Sequence, residues 1–273
     1  MAFSGCDRDD EREMEAKGAL ASVATANDAP QLQILVNHQG HGAYSVETLD
    51  RMTATEVVTL RDANLGKTKR YRATPLRALL QGLETHEGLP SKMAILRAKD
   101  GYELRVAAER LLEDGAFIAI GEAESGTFEP IGQQHLDPGP FYLVWAGAHQ
   151  GDVKAYPWPW QLAAIHFTDE QAYPKTHPPK GSSTTVYRGH TLFLKECVRC
   201  HAINRDGGSL GPELNLPQNI TEYREENQLR SFIQNPKAFR YSAMPAFGHL
   251  SPADLDALFA YLRSMATHKR PPR

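Results

Sequence analysis

The sequence predicts two domains of different class: a mixed α+β, mainly β domain followed by an all-α domain. Three observations carry this. Short β-branched runs dominate the first part of the chain. After a stretch rich in proline, the apolar pattern changes to a helical period. Charge also divides: residues 1–180 carry 18 Lys and Arg against 25 Asp and Glu, a net of −7, while residues 181–273 carry 12 against 8, a net of +4. Two surfaces of opposite sign suit two separate modules, the basic one suited to an acidic partner.

The elements follow in order. Residues 1–30 contain the charge-dense run "DRDDEREMEAK", which has no apolar face and is expected to be a solvated tether. From 31 to 172 the strands are "LQILV", "VVTL", "MAILRAKDGYELRV", "FIAI", "FYLVW" and "LAAIHF". Asp100-Gly101 divides the third of these into a hairpin. Two short helices are expected between them: "PLRALLQGL", with Thr74 as its cap and Pro75 at the first helical position, and "AAERLLEDG", ending on Gly115. Residues 173–185, "YPKTHPPKGSSTT", lack periodicity and read as a linker. From 186 to 273 the code is helical. Ser251, Pro252 and Asp254 open a last helix as cap, first residue and capping-box partner, with the stripe Leu255, Leu258, Phe259, Leu262 and Met265.

Composition excludes several classes. Three cysteines, Cys6, Cys197 and Cys200, are too few for a disulfide scaffold. No apolar run is long enough to span a bilayer. "KTKRYR", with Lys67, Lys69, Arg70 and Arg72, reads as a charged hairpin face, not a nucleic-acid surface. His38 and His41 are too few to hold a metal and read as solvated. Trp158 and Trp160 read as packing residues.

The chemistry concentrates in "KECVRCHAINRDGG", where Cys197, Cys200 and His201 form Cys-X-X-Cys-His. A redox dithiol would want a βαβ setting, and tetrahedral zinc a further pair of ligands. Covalent haem uses all three residues: thiols at i and i+3 share one side of a helical turn and can each add to a porphyrin vinyl group, with the histidine beneath the iron. "GGSLGPEL" then supplies Gly207, Gly208 and Gly211, which permit close backbone approach to a flat macrocycle. "RYSAMPAF" places Met244 in a proline-bounded loop, a soft thioether suited to haem iron. His190, His249 and Met265 are weaker candidates for the sixth position.

These motifs, with Gly189 and Phe193 in the first helix, Gly211-Pro212, Leu214, "MPAF" and "LDALFAYLRSM", make residues 186–268 resemble a class I cytochrome c domain. The resemblance implies one haem c bound through Cys197 and Cys200, with His201 and Met244 as axial ligands. It further implies that the Pro212 carbonyl accepts the His201 Nδ1 proton, that Gly189 and Tyr261 meet where the first and last helices cross, and that Arg240 and Tyr241 lie near a haem propionate.

The earlier domain, through "LRDANLGKTKRYRATPLRALLQGL", "GPFYLVWAG" and "YPWPWQLAAIHF", resembles a shortened sulfite-oxidase-type molybdopterin-binding domain. That family binds molybdenum through a cysteine thiolate, and no cysteine lies between Cys6 and Cys197. Molybdopterin is therefore not expected, and the domain reads as a docking or structural module. The expected function is single-electron transfer between redox partners, one of them a periplasmic oxidoreductase, with no catalytic residues; the rivals are a molybdopterin oxidoreductase feeding its own haem and a haem sensor or peroxidase. Haem attachment implies a periplasmic setting. "FSGC" resembles the end of a lipoprotein signal, making Cys6 the expected point of a lipid anchor.

Overall fold

The computed structural model describes residues 29–83, 86–132, 135–169, 173–239 and 242–270. Cys6 and its tether lie outside them, as do Arg240 and Tyr241. The chain forms two compact units. Of the described residues, those within 29–92 and 108–168 make one unit and those within 93–107 and 169–270 the other.

The first unit is built on two groups of strands. β1 (Gln31–Val36) pairs antiparallel with β2 (Gln39–Ser45) and parallel with β9 (Leu162–Thr168). β3 (Glu56–Arg61), β4 (Thr68–Pro75), β7 (Ala116–Glu122) and β8 (Tyr142–Trp145) form an antiparallel sheet in that order. Alternation explains β1, whose Leu32, Ile34 and Val36 point inward. β8 is buried at every residue, so it reads as an unbroken apolar run. Short helices α1 (Val46–Asp50), α2 (Leu76–Gln81) and α3 (Ala108–Leu111) connect them.

Thr74 does not cap α2. It is buried at the end of β4, where its hydroxyl meets that of Thr55 at 2.7 Å, and Pro75 itself precedes the helix. The second expected helix is a single turn, α3, that ends before Gly115; Gly115 takes φ 99° at the entry to β7. The basic run on β4 is paired with carboxylates: Lys67 with Glu129 at 2.7 Å, Lys69 with Glu122 and Glu129, Arg70 with Glu124, and Arg72 with Asp50. That balance turns a charged strand into a laced, mostly neutralised face.

One polar hub holds this unit. Asp62 is fully buried, and its carboxylate accepts from the Tyr71 hydroxyl at 2.8 Å, the Tyr142 hydroxyl at 3.1 Å, and the backbone N–H groups of Asn64 and Leu65 at 2.8 Å. A buried carboxylate persists only when so satisfied. Burial, and for both residues the nearby Asp62 charge, raise the two tyrosine pKa values, so both hydroxyls stay protonated donors. Trp158 packs beside this hub, its ring 6.0 Å from that of Tyr142. His38 donates its backbone N–H to His166 Nε2 at 3.0 Å. Among the described residues no three His, Cys, Asp or Glu cluster to hold a metal ion, and no helix is long and apolar enough to cross a membrane.

The second unit is helical, with two additions. α4 (Thr184–Leu192) continues through a wider turn, Phe193–Cys197, into the cysteine motif. α5 (Ile220–Tyr223), α6 (Glu226–Gln234) and α7 (Pro252–Ala266) follow. The first addition is a two-residue pair, β10 (Ala202–Ile203) and β11 (Asp206–Gly207). The second is the hairpin of β5 (Met93–Ala98) and β6 (Glu103–Ala107), which groups with this unit although its sequence interrupts the other. Asp100-Gly101 makes its turn, with Gly101 at φ 88°.

α4 and α7 cross at Gly189. A Cβ there would lie 2.0 Å from the Ala257 carbonyl oxygen and 2.7 Å from Tyr261 Cβ, so only glycine allows this approach. Around the crossing, Phe193, Val198, Ile203, Leu258, Phe259, Tyr261, Leu262 and Met265 form one core with Tyr173. Each such large apolar side chain contributes roughly 1.5–3 kcal/mol by leaving water. The proline-rich segment is thus more than a spacer. Tyr173 and Thr176 are buried, and the Tyr261 hydroxyl donates to the Thr176 carbonyl at 2.6 Å. Ser251 and Asp254 form the expected capping box at the start of α7.

Candidate functional site

Cys197 ends the wide turn after α4, and the chain tightens there. Cys200 N–H and His201 N–H both donate to the Cys197 carbonyl, at 3.1 and 2.9 Å. This gathers the two cysteines and the histidine within a single turn. Gly208 N–H donates back to the Val198 carbonyl at 2.8 Å, and Gly211 N–H to that of Cys200 at 2.7 Å, closing the loop.

The His201 ring is fixed from two directions. Its Nδ1–H donates to the Pro212 carbonyl at 2.8 Å. A Cβ on Gly211 would lie 2.4–2.8 Å from three ring atoms, so the glycine backbone lies against the imidazole. The histidine ring is thus itself a reason for glycine at this position. Burial lowers the His201 pKa, against the opposing pull of the Pro212 carbonyl and Glu213. The ring is a neutral tautomer with its proton on Nδ1 and a lone pair on Nε2, the form that binds a metal.

Cys197 and Cys200 are not joined by a disulfide. Burial, with Glu196 and Cys200 adding, pushes the Cys197 thiol up to about 12, and burial also raises Cys200. A dithiol for redox exchange needs the reverse, a lowered pKa at an exposed sulfur. Two protonated, sheltered thiols beside a neutral imidazole fit a haem held by two thioethers and one nitrogen ligand.

Met244 lies half-buried in the loop before α7, and its N–H donates to Ser242 Oγ at 3.2 Å. The weaker candidates sit elsewhere. Met265 is fully buried in the α4–α7 core. His190 contacts the Thr176 hydroxyl at 3.0 Å. His249 is exposed and faces Glu196 at 3.7 Å.

The site rests on residues that the sequence reading passed over. Glu213 accepts the backbone N–H groups of Asn204, Arg205, Asn215 and Leu216 at 2.7–3.1 Å. Asn204, Asn215 and Asn219 form a buried amide chain with links of 2.8 and 2.7 Å, and Asn219 Nδ2 reaches the Leu262 carbonyl on α7 at 2.9 Å. This chain ties the segment after His201 to the last helix. Its outward sign in the sequence is the pair Asn215 and Asn219 within "LNLPQN".

The comparisons agree with this geometry. Residues 184–262 match the family model described as cytochrome c oxidase, cbb3-type, subunit III. The C-terminal segment is a class I-like cytochrome c domain, and the cofactor of such a domain is covalently bound haem c. Among curated relatives, cytochrome c oxidase subunit 2 of Alkalihalophilus pseudofirmus is 32% identical over 92 residues, which cover 31% of this chain and 27% of that protein. Cytochrome c of Gibberella zeae is 29% identical over 98 residues, covering 29% of this chain and 92% of that protein. The chain thus spans about a quarter of the first relative and nearly all of the second.

Proposed function

We propose that the protein is a monohaem c-type cytochrome that passes single electrons between periplasmic redox partners. The observation that carries this is the arrangement at residues 197–212: two sheltered thiols, and an imidazole whose Nδ1–H is held by Pro212 at 2.8 Å so that Nε2 is free for iron. In this reading Cys197 and Cys200 bind the porphyrin as thioethers, His201 is the proximal ligand and Met244 the second axial ligand. The haem supplies a one-electron couple. The protein residues would bind and orient it: Pro212 holds the ring and increases its basicity, Gly211 leaves room for the ring, and the Glu213 and asparagine network holds the loop. If His201 and Met244 both held the iron, the site would favour electron transfer over oxygen or peroxide chemistry.

The +4 charge of residues 181–273 would steer an acidic partner toward this domain. The mainly β unit, with its sulfite-oxidase-like resemblance, is read as a docking module, which would raise the effective concentration of the partner. Cys6 is read as the site of a lipid anchor.

The deciding experiment uses protein made in a cell able to mature c-type cytochromes. Its pigment should survive denaturation and acid extraction, and its mass should exceed that of the polypeptide by one haem. A mass equal to the bare polypeptide overturns the reading. Metal analysis should give about one iron per chain; molybdenum in the same amount would favour the oxidoreductase instead.

A further inference from the structure

The hairpin of β5 and β6 lies outside the residues that match the cytochrome family, yet it belongs to the same compact unit and touches the haem-attachment loop. Glu103 N–H donates to the Arg199 carbonyl at 2.9 Å, between the two cysteines. Ser209 N–H donates to the Gly101 carbonyl at 2.9 Å. Next along the hairpin comes an ion pair: Arg105 reaches Asp206 Oδ1 at 2.9 Å, with both side chains only 7% exposed. Asp206 Oδ2 accepts the Lys175 N–H at 2.9 Å. On the other side, the guanidinium of Arg105 lies 4.2 Å from the centre of the Tyr173 ring and meets Glu103, which Arg97 also pairs at 2.7 Å.

A buried charge pair of this kind is a poor source of stability, because desolvation offsets its attraction. Its use is geometric: each partner must stay where it is, since moving either strands a charge. Here the pair pins β11, which begins five residues after His201, to a strand about a hundred residues earlier in the sequence. We propose that the Met93–Ala107 hairpin is a strap on the haem-attachment loop, and that Arg105, acting through Asp206, is a positioning residue that keeps the Cys200–His201 segment tight against the cofactor. This rests on the reading of the site as a haem c centre. The strap makes that centre a composite of two distant stretches of chain.

The test compares full-length holoprotein of the parent with Arg105→Ala, Arg105→Lys and Asp206→Asn. Loosening the loop admits water beside the haem and favours the more highly charged oxidised state, so the reduction potential falls. Arg105→Ala removes a positive charge and Asp206→Asn a negative one, so a pure charge effect would shift the potential in opposite directions. The strap requires both to lower it. Asparagine cannot replace the aspartate, because Asp206 accepts through both oxygens and an amide has one acceptor. Arg105→Lys keeps the charge without the fork and should fall between parent and alanine. Amide exchange over residues 199–209 should rise by about tenfold or more in both disrupting variants. If Arg105→Ala yields no holoprotein, the shape-conserving Asp206→Asn decides. Potentials that move in opposite directions, or that stay at the parent value with unchanged exchange, overturn the strap. Failure of the haem reading would be seen separately, in a parent protein that carries no covalent haem.

Discussion

His201 donates its Nδ1 proton to the carbonyl of Pro212 at 2.8 Å, across a loop that Gly211 presses against the same ring. The acceptor is a main-chain oxygen, so no side-chain change removes it. The proximal side of the proposed haem is therefore built into the backbone, and the second axial position is where substitution should act first. Met244→Ala is expected to leave covalent haem content unchanged, to lower the reduction potential, and to let the reduced protein bind carbon monoxide where the parent does not. Spectra of both reduced proteins under the gas check this; equal binding by parent and variant would sink Met244 as the ligand.

The crossing of α4 and α7 makes as sharp a demand on sequence as the attachment loop, where a Cβ on Gly208 would also lie 2.0 Å from a backbone oxygen. Gly189→Ala would put a methyl group 2.0 Å from the Ala257 carbonyl, and backbone, unlike a side-chain tip, cannot swing aside. The helices must separate and loosen the Phe193 and Tyr261 contacts. The expected loss is about 2 kcal/mol or more, read from denaturant unfolding of the holoprotein. A variant as stable as the parent would mean that the crossing is wider than described.

What the sequence revealed, and what it hid, follows from the range of the interactions. The Cys-X-X-Cys-His turn, the Ser251–Asp254 box and the Asp100-Gly101 turn are local, closed within a few residues, and were legible directly. Gly189 and Tyr261 were legible only through resemblance, because their meeting spans the whole domain. Thr74 was misread as a cap because a threonine before a proline has the same signature whether it caps a helix or ends a strand; its partner Thr55 decides, and lies 19 residues away. The Arg105–Asp206 pair, 101 residues apart, leaves no periodic trace at all. Nor does the hub at Asp62, whose tyrosines come from two different strands.

The asparagine chain offers a test of how the loop is held. Asn219 caps α5 through its oxygen, donates to Asn215 and donates to the Leu262 carbonyl, all from a fully buried position. Asn219→Ala removes these bonds and leaves Asn215 Oδ1 and the Leu262 carbonyl without that donor. A loss of about 1–3 kcal/mol is expected, with the visible spectrum of the folded protein unchanged. Thermal unfolding followed at the haem band measures it. Unchanged stability would show that water replaces the amide without cost.

His190 gives the protein a dependence on acid. It is buried beside Tyr261 and His177, and burial first, then His177, lowers its pKa to about 4. In the unfolded chain the ring takes up its proton near the ordinary value of 6.5. Above that value neither state is charged and the residue adds no pH dependence. As pH falls from 6.5 toward 4 the unfolded state gains a proton that the folded state refuses, so stability declines across that window and levels off below it. The drop attributable to this residue is at most about 3 kcal/mol. His190→Gln keeps a hydrogen-bonding group for the Thr176 hydroxyl and cannot titrate. Its unfolding free energy should therefore fall less steeply than that of the parent between pH 6.5 and 4. Parallel curves for the two proteins would show that the folded ring takes up its proton as readily as the unfolded one, so that burial does not lower its pKa.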